Sequence, residues 1–234
     1  MKPTERLAEA TAPDGSVLSL LRHDGAYLMR VNGIELMSTR RVNSESRLAD
    51  FACAPIADRR SARTIIGGLG FGFTLKAALK VLAPDAEVTV VEIVQAVIDW
   101  NLHPDWALAR EALEDGRVRV VCDDIGNVLR QNPAAYDAIM LDVDNGADSL
   151  TTKGNKRLYG DHGVRAAIAA LAHGGRLAYW SSQPDEKFKR TLERNGMAVE
   201  THSVRSHPTA GGYYTLFIAR RIKDSKAPEP ATTP

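Results

Sequence analysis

The chain has 234 residues, 44% of them hydrophobic and 25% charged, with a formal net charge of +1. That length and apolar content suit one α/β domain of roughly 160 residues with a smaller appendage. Near-neutral charge gives no general pull toward nucleic acid or an acidic membrane, and no apolar run approaches the ~20 residues needed to cross a bilayer.

The N-terminus has no signal-peptide apolar region. Cys53 and Cys122 are the only cysteines, too few for a disulfide framework or a metal site, and both read as small buried hydrophobes. A cytoplasmic protein without metal, membrane or nucleic-acid partner is expected. Residues 1–13 are polar and aperiodic, and a flexible N-terminus is expected there. Residues 14–62 read as a small β-hairpin or meander domain with a linking helix. Strands are expected over 16–22, 27–31 and 34–38, and Asn32-Gly33 is a strong two-residue hairpin signal. Arg40 and Arg41 read either as a seat for a ligand carboxylate or as a solvated pair. A helix over 43–57 would carry Leu48, Phe51, Ala52 and Ile56 on one side.

Residues 63–221 are organised around the stretch 64–92. Thr64-Ile65-Ile66 is β-branched and apolar, as a strand buried on both faces would be. Glycine-rich residues 67–72 then turn, 73–82 has helical apolar spacing, and a second strand over 88–91 ends in Glu92. This is a βαβ unit with a carboxylate at the tip of its second strand, placed to accept ribose hydroxyls. The spacing G-x-G-x-G (Gly68, Gly70, Gly72) differs from the dinucleotide fingerprint, which would need glycine where Phe73 stands. It is the form typical of enzymes that bind S-adenosylmethionine, a nucleoside with a sulfonium amino acid and no pyrophosphate.

Further on, helices are expected over 94–100, 125–131, 162–172 and 186–195. His103-Pro104 breaks the helical pattern of 101–112. Strands are expected over 118–121, 136–141, 176–181, 198–201 and 213–219. Residues 145–161 read as a polar loop, Gly174-Gly175 as a helix stop, and residues 222–234 as a disordered tail.

In an open α/β sheet, ligands bind beyond the carboxyl ends of the strands. The residues there are the glycine loop, Glu92, Asp123, Asp124, Asp142, Asp144 and Trp180. Asp123 is placed to accept the exocyclic amine of an adenine, and Ile93 and Ile125 to sandwich the purine. Asp142 is placed to hold an amino group of the cofactor or substrate. Asp142 or Asp144 would accept the proton of an attacking amine or hydroxyl. Tyr159 reads either as closing over the site from its loop or as a packing residue, and Trp180, like Tyr179, as packing the sheet, with lining of the acceptor pocket as the alternative. Each carboxylate taken alone also reads as a helix N-cap; three successive acidic strand ends argue for a ligand.

The segments IIGGLGFG, EVTVVEI, DGRVRVVCDD, YDAIMLDVDN and GGRLAYWSSQ resemble the spermidine synthase family of the class I methyltransferase-like fold, over about residues 15–220. The resemblance implies a Rossmann-like, mostly parallel sheet of seven strands with a small N-terminal antiparallel β-appendage. It also implies S-adenosylmethionine or its decarboxylated form as cofactor, a small-molecule acceptor, and a homodimer. In that family the glycine loop reads like GGGDG, and Gly70 stands where its aspartate would be. Asp142 matches the first aspartate of a DSSDP-like motif, but Asp144-Asn145-Gly146 replaces its end. Set against that family, the resemblance implies a kept nucleoside half of the site and a rebuilt diamine half. The first reading is therefore methyl transfer to a small molecule. The alternatives are aminopropyl transfer from decarboxylated S-adenosylmethionine, and a non-catalytic nucleoside-binding protein.

Overall fold

Period-two alternation in the first forty residues and continuous apolar strands after residue 63 give sheets of different kinds. The computed structural model describes residues 3–106, 108–143, 155–207 and 211–222. The N-terminal sheet is an antiparallel meander of β1 (Thr4–Thr11), β2 (Val17–His23), β3 (Ala26–Val31) and β4 (Ile34–Ser38). Its two tight hairpins are Asp24-Gly25 and Asn32-Gly33. All four residues have positive φ, as the turn type that matches strand twist requires.

β1 corrects the expectation of a flexible N-terminus. It pairs along its length with β2, interrupted by a bulge between Arg6 and Ala8. The bulge breaks the apolar alternation, and the strand carries exposed charge, with Arg22–Glu5 and Arg6–Glu9 ion pairs at 2.8 Å. Charge and a bulge are how an edge strand avoids further pairing, and both hide it from a periodicity reading.

The helix α1 (Asn43–Cys53), extended by a 3₁₀ turn over Ala54–Ile56, joins the two sheets. The larger sheet contains β5 (Arg63–Gly67), β6 (Glu87–Glu92), β7 (Val118–Cys122), β8 (Tyr136–Leu141), β9 (Leu171–Ser181), β10 (Met197–Arg205) and β11 (Tyr213–Arg221). Their order is β10-β11-β9-β8-β5-β6-β7, parallel from β9 to β7 and antiparallel at β11 and β10. This is the doubly wound arrangement expected from the sequence, with the strand order reversing between β5 and β8.

Helices α2 (Phe73–Val81), α3 (Gln95–Leu102), α4 (Arg110–Leu113), α5 (Ile125–Gln131), α6 (Asn155–Leu158), α7 (Asp161–Ala170) and α8 (Glu186–Arg194) complete the fold. α6 lies inside the stretch expected to be loop. The strand after α7 begins at Leu171, before Gly174-Gly175, because Leu171 pairs with Tyr136 before a bulge delays the next pairing to Arg176. The expected tail lies outside the described residues. No helix among the described residues is long and apolar enough to cross a membrane.

Alternate side chains of the central strands feed two cores. Ile66, Val90, Met140 and Ala178 face α1, α2 and the appendage; Ile65, Val91, Ile139 and Tyr179 face α5, α7 and α8. α1 packs on α2 and on β8 and β9, and Leu48, fully buried, sits in the core that the appendage shares with the sheet. Cys53 is buried as expected, whereas Cys122 is exposed at the end of β7. Leu48→Ala should therefore cost about 3 kcal/mol of unfolding free energy. Chemical denaturation measures this, and a loss below about 1 kcal/mol would mean that the two sheets do not share one core.

Candidate functional site

The glycine loop leaves β5 and is tied down on every side. Gly68 N–H donates to the Val91 carbonyl at 2.8 Å, and Asp142 N–H to the Gly67 carbonyl at 2.9 Å. Asn101, fully buried on α3, donates to the Gly70 carbonyl at 2.8 Å. Gly68 has φ +91°, and a Cβ there would lie 2.2 Å from the Asp142 carbonyl oxygen. No side chain fits between the loop and the end of β8. Gly72 is packed as closely: its Cβ would stand 2.5 Å from the Ala109 Cβ.

Glu92 ends β6, where the parallel strands expose their last carboxyl-end side chains above the loop. Its Oε2 accepts from Leu69 N–H at 3.0 Å and its Oε1 from Val94 N–H at 2.9 Å. Loss of water pushes the Glu92 carboxyl above its ordinary value, and backbone N–H groups of Leu69, Val94 and Ile93 counter that. Asp123 follows β7; its Oδ1 accepts from Asp124 N–H at 2.6 Å and from the Asn127 amide at 3.2 Å. Asp124 caps α5, accepting from Asn127 N–H at 3.1 Å.

Asp142 follows β8 and accepts at Oδ2 from the Thr74 hydroxyl, 2.6 Å away in the first turn of α2. Facing it from α1 is Glu45, only 8% exposed, whose Oε2 accepts from the Ser44 hydroxyl at 2.6 Å. Burial, then the negative charge of Asp142, pushes the Glu45 carboxyl up to about 7. Burial pushes Asp142 up to about 6.

These groups line a single cavity of about 400 Å3. Gly68, Gly70, Glu92, Ile93, Asp123, Asp124, Ile125 and Asp142 come from the strand ends of the larger sheet. Leu18, Met29, Leu36 and Met37 wall it from the appendage, and Trp180 and Tyr214, packed at 4.7 Å, close its far side. Since β8, β5, β6 and β7 are successive neighbours, the cavity runs along the sheet edge from the carboxylates of Glu45 and Asp142 to that of Asp123. Arg41 is the one lining cation among the described residues, and it is paired with Glu35, also in the lining, at 2.8 Å.

Ile93 and Ile125 lie in the lining with the acids, as does Trp180. Tyr159 is elsewhere. It is buried against Tyr179 and Phe188, and its hydroxyl donates to the Trp180 carbonyl at 2.7 Å. Its ring fills the core between α6, α8 and β9 and does not close over the cavity. Asp144 lies outside the described residues. Glu45, Met37, Thr74 and Tyr214 were not anticipated. The signal for Glu45 is its place three residues before Leu48 and seven before Ala52, on the apolar side of α1.

Comparison with solved structures places this architecture. A spermidine synthase in complex with the transition state analogue AdoDATO matches with TM-score 0.75 at 16% identity, over 92% of this chain and 73% of that one. The spermidine synthase of Thermotoga maritima matches with TM-score 0.71 at 15% identity, over 92% and 72%. The chain has the spermidine synthase fold. A probable spermidine synthase from Corynebacterium glutamicum matches with TM-score 0.62 at 16% identity, over 90% and 78%. No family model matches the sequence, and no curated protein matches it. The seven-stranded sheet and the β-appendage are thus those of this fold.

Two outcomes follow from the geometry. Gly68→Ala must strain φ and move the Asp142 carbonyl, so it should cost about 3 kcal/mol or more of unfolding free energy; an undiminished unfolding free energy would refute the close approach. The second concerns pH. Glu45 and Asp142 have folded values above their ordinary ones, so the stability they leave intact at low pH is lost as pH rises from about 4 through about 7. The unliganded protein should melt at a lower temperature at about pH 8 than at about pH 5, and Glu45→Gln should flatten that slope. An unchanged slope would mean that the carboxylates are hydrated.

Proposed function

We propose that the protein is a transferase that uses an adenosyl sulfonium donor, and that the group moved is aminopropyl, from decarboxylated S-adenosylmethionine to an amine. The observation that carries this reading is the charge of the cavity. Glu35, Glu45, Glu92, Asp123, Asp124 and Asp142 line it, against Arg41 alone among the described residues, and Arg41 is paired with Glu35. A ligand with positive charge at both sulfonium and ammonium suits such a lining, and one that also carries a carboxylate suits it less. The fold shared with spermidine synthases supports the same choice over the methyl transfer expected first.

In this reading Glu92 accepts the ribose hydroxyls, with its oxygens already oriented by Leu69 and Val94 N–H. Asp123 takes the adenine amine, and Ile93 and Ile125 hold the ring faces. The bound donor supplies a carbon made electrophilic by the adjacent sulfonium. What the chain must add is alignment of an unprotonated amine with that carbon, which accounts for most of the achievable acceleration. As the new N–C bond forms, the C–S electron pair leaves with sulfur as a neutral thioether, and the nitrogen sheds one proton. Asp142, in the cavity lining at the end of β8, is placed to take that proton. The Thr74 hydroxyl orients it by fixing Oδ2.

The observation on the side of methyl transfer is Arg41, a cation in the lining that a cofactor carboxylate would contact if it left Glu35. The product separates the readings. With putrescine as acceptor, decarboxylated S-adenosylmethionine should yield 5′-methylthioadenosine and an aminopropylated amine by mass. Formation of S-adenosylhomocysteine from the uncut cofactor instead would overturn aminopropyl transfer. Binding without either product would favour a nucleoside-binding protein. Asp142→Asn should lower kcat by about 100-fold or more at neutral pH; an unchanged kcat would remove Asp142 from the reaction.

A further inference from the structure

We propose that Glu45 and Asp142 together seat a primary ammonium group, with α1 supplying through Glu45 the acid that the glycine loop lacks at Gly70. The proposal rests on the aminopropyl reading and names the residue that would give it specificity.

At Gly70 the loop lies against the appendage. Gly70 has φ +52°, and a Cβ there would stand 2.6 Å from Met37 Cε and 2.9 Å from Met37 Sδ. The volume that a side chain at 70 would enter is filled by the end of a methionine from β4, which itself lines the cavity.

The acid arrives from the other wall. Glu45 is only 8% exposed and lines the same cavity as Gly70 and Asp142. Its carboxylate accepts from the Ser44 hydroxyl on Oε2 and from its own backbone N–H. Neither it nor Asp142 has an ion pair with any described residue. Arg41, the cation in the lining, is engaged with Glu35. A buried carboxylate without a cation is expensive, and a facing pair more so, because each raises the cost of ionising the other. A bound cation relieves that cost. The geometry calls for a cation with several N–H donors, able to bridge Glu45 on α1 and Asp142 at the end of β8. A primary alkylammonium has that form, with three donors on a point charge.

Such an ammonium group occurs on the aminopropyl arm of the decarboxylated donor and on a diamine acceptor. The test distinguishes them. Full-length wild type and Glu45→Gln are titrated calorimetrically at about pH 8 with 5′-methylthioadenosine, with decarboxylated S-adenosylmethionine, and with putrescine in the presence of 5′-methylthioadenosine. Binding of 5′-methylthioadenosine alone, which has no amine arm, should change by less than about twofold and so shows that the variant is folded. One ammonium-bearing ligand should weaken by about 10- to 100-fold, the range of a charge-assisted hydrogen bond. The ligand that weakens identifies the source of the ammonium. The triple variant Glu45→Gln, Met37→Ala, Gly70→Asp should recover part of that loss, since aspartate tolerates left-handed backbone better than most residues. Equal affinity of wild type and Glu45→Gln for both ammonium ligands overturns this proposal and leaves aminopropyl transfer standing. A wild type that binds 5′-methylthioadenosine but neither ammonium ligand overturns both.

Discussion

A carboxylate taken out of water must be compensated by donors, by a cation or by a proton, and this chain sets Glu92, Asp142 and Glu45 around one cavity where each meets that demand differently. Glu92 is compensated by the backbone: its oxygens take the Leu69 and Val94 N–H groups, and the same bonds pin the glycine loop to the end of β6. Asp142 has the Thr74 hydroxyl, and Glu45 has the Ser44 hydroxyl. Without a cation, the latter two hold protons more tightly than free carboxylic acids do. The nucleoside end of the cavity is thus preorganised, while the other end is poised to exchange a proton for a positively charged ligand.

This division depends on how the two sheets are joined. The appendage supplies a wall of the cavity through Leu18, Met29, Leu36 and Met37. α1 carries Glu45 into it while Leu48, Ala49 and Ala52, on the same helix, are fully buried in the shared core. A change in α1 packing would therefore reach the site through Glu45, and a change in β4 would reach the glycine loop through Met37. Asn101 braces the loop from α3 by its bond to the Gly70 carbonyl. The loop is rigid because neighbours on three elements hold it, and glycine at 68 is what lets the strand ends approach so closely.

Much of this is legible in the sequence because local chemistry and tertiary position agree. The β-branched run before Gly67, the apolar spacing after Gly72 and the lone acid at 92 announce a βαβ unit, and the observed β5, α2 and β6 follow it within a residue or so. Positive-φ dipeptides at 24–25 and 32–33 place the hairpins. β1 is hidden because an edge strand with a bulge and exposed charges has no clean alternation. Tyr159 is misplaced because a tyrosine in a polar stretch looks like a surface residue until α6 turns it into the core. Glu45 is the most informative omission. Its helix is amphipathic, and an acid on the apolar side is visible, but only the fold shows that this side faces Asp142. Gly70 is plain as a departure from the family pattern, whereas Met37 filling its space is a long-range contact between sheets that no local pattern carries.

The most direct test of the account is the proton count of binding. Wild type is titrated with decarboxylated S-adenosylmethionine at about pH 6.5 in buffers of different ionisation enthalpy, with 5′-methylthioadenosine as the reference ligand. A cation seated between Glu45 and Asp142 must lower both carboxyl values toward the ordinary range, so net proton release is expected with the charged ligand and little with the reference. Equal proton exchange for the two ligands would contradict the account, because the acids facing each other across the cavity would then play no part in holding positive charge.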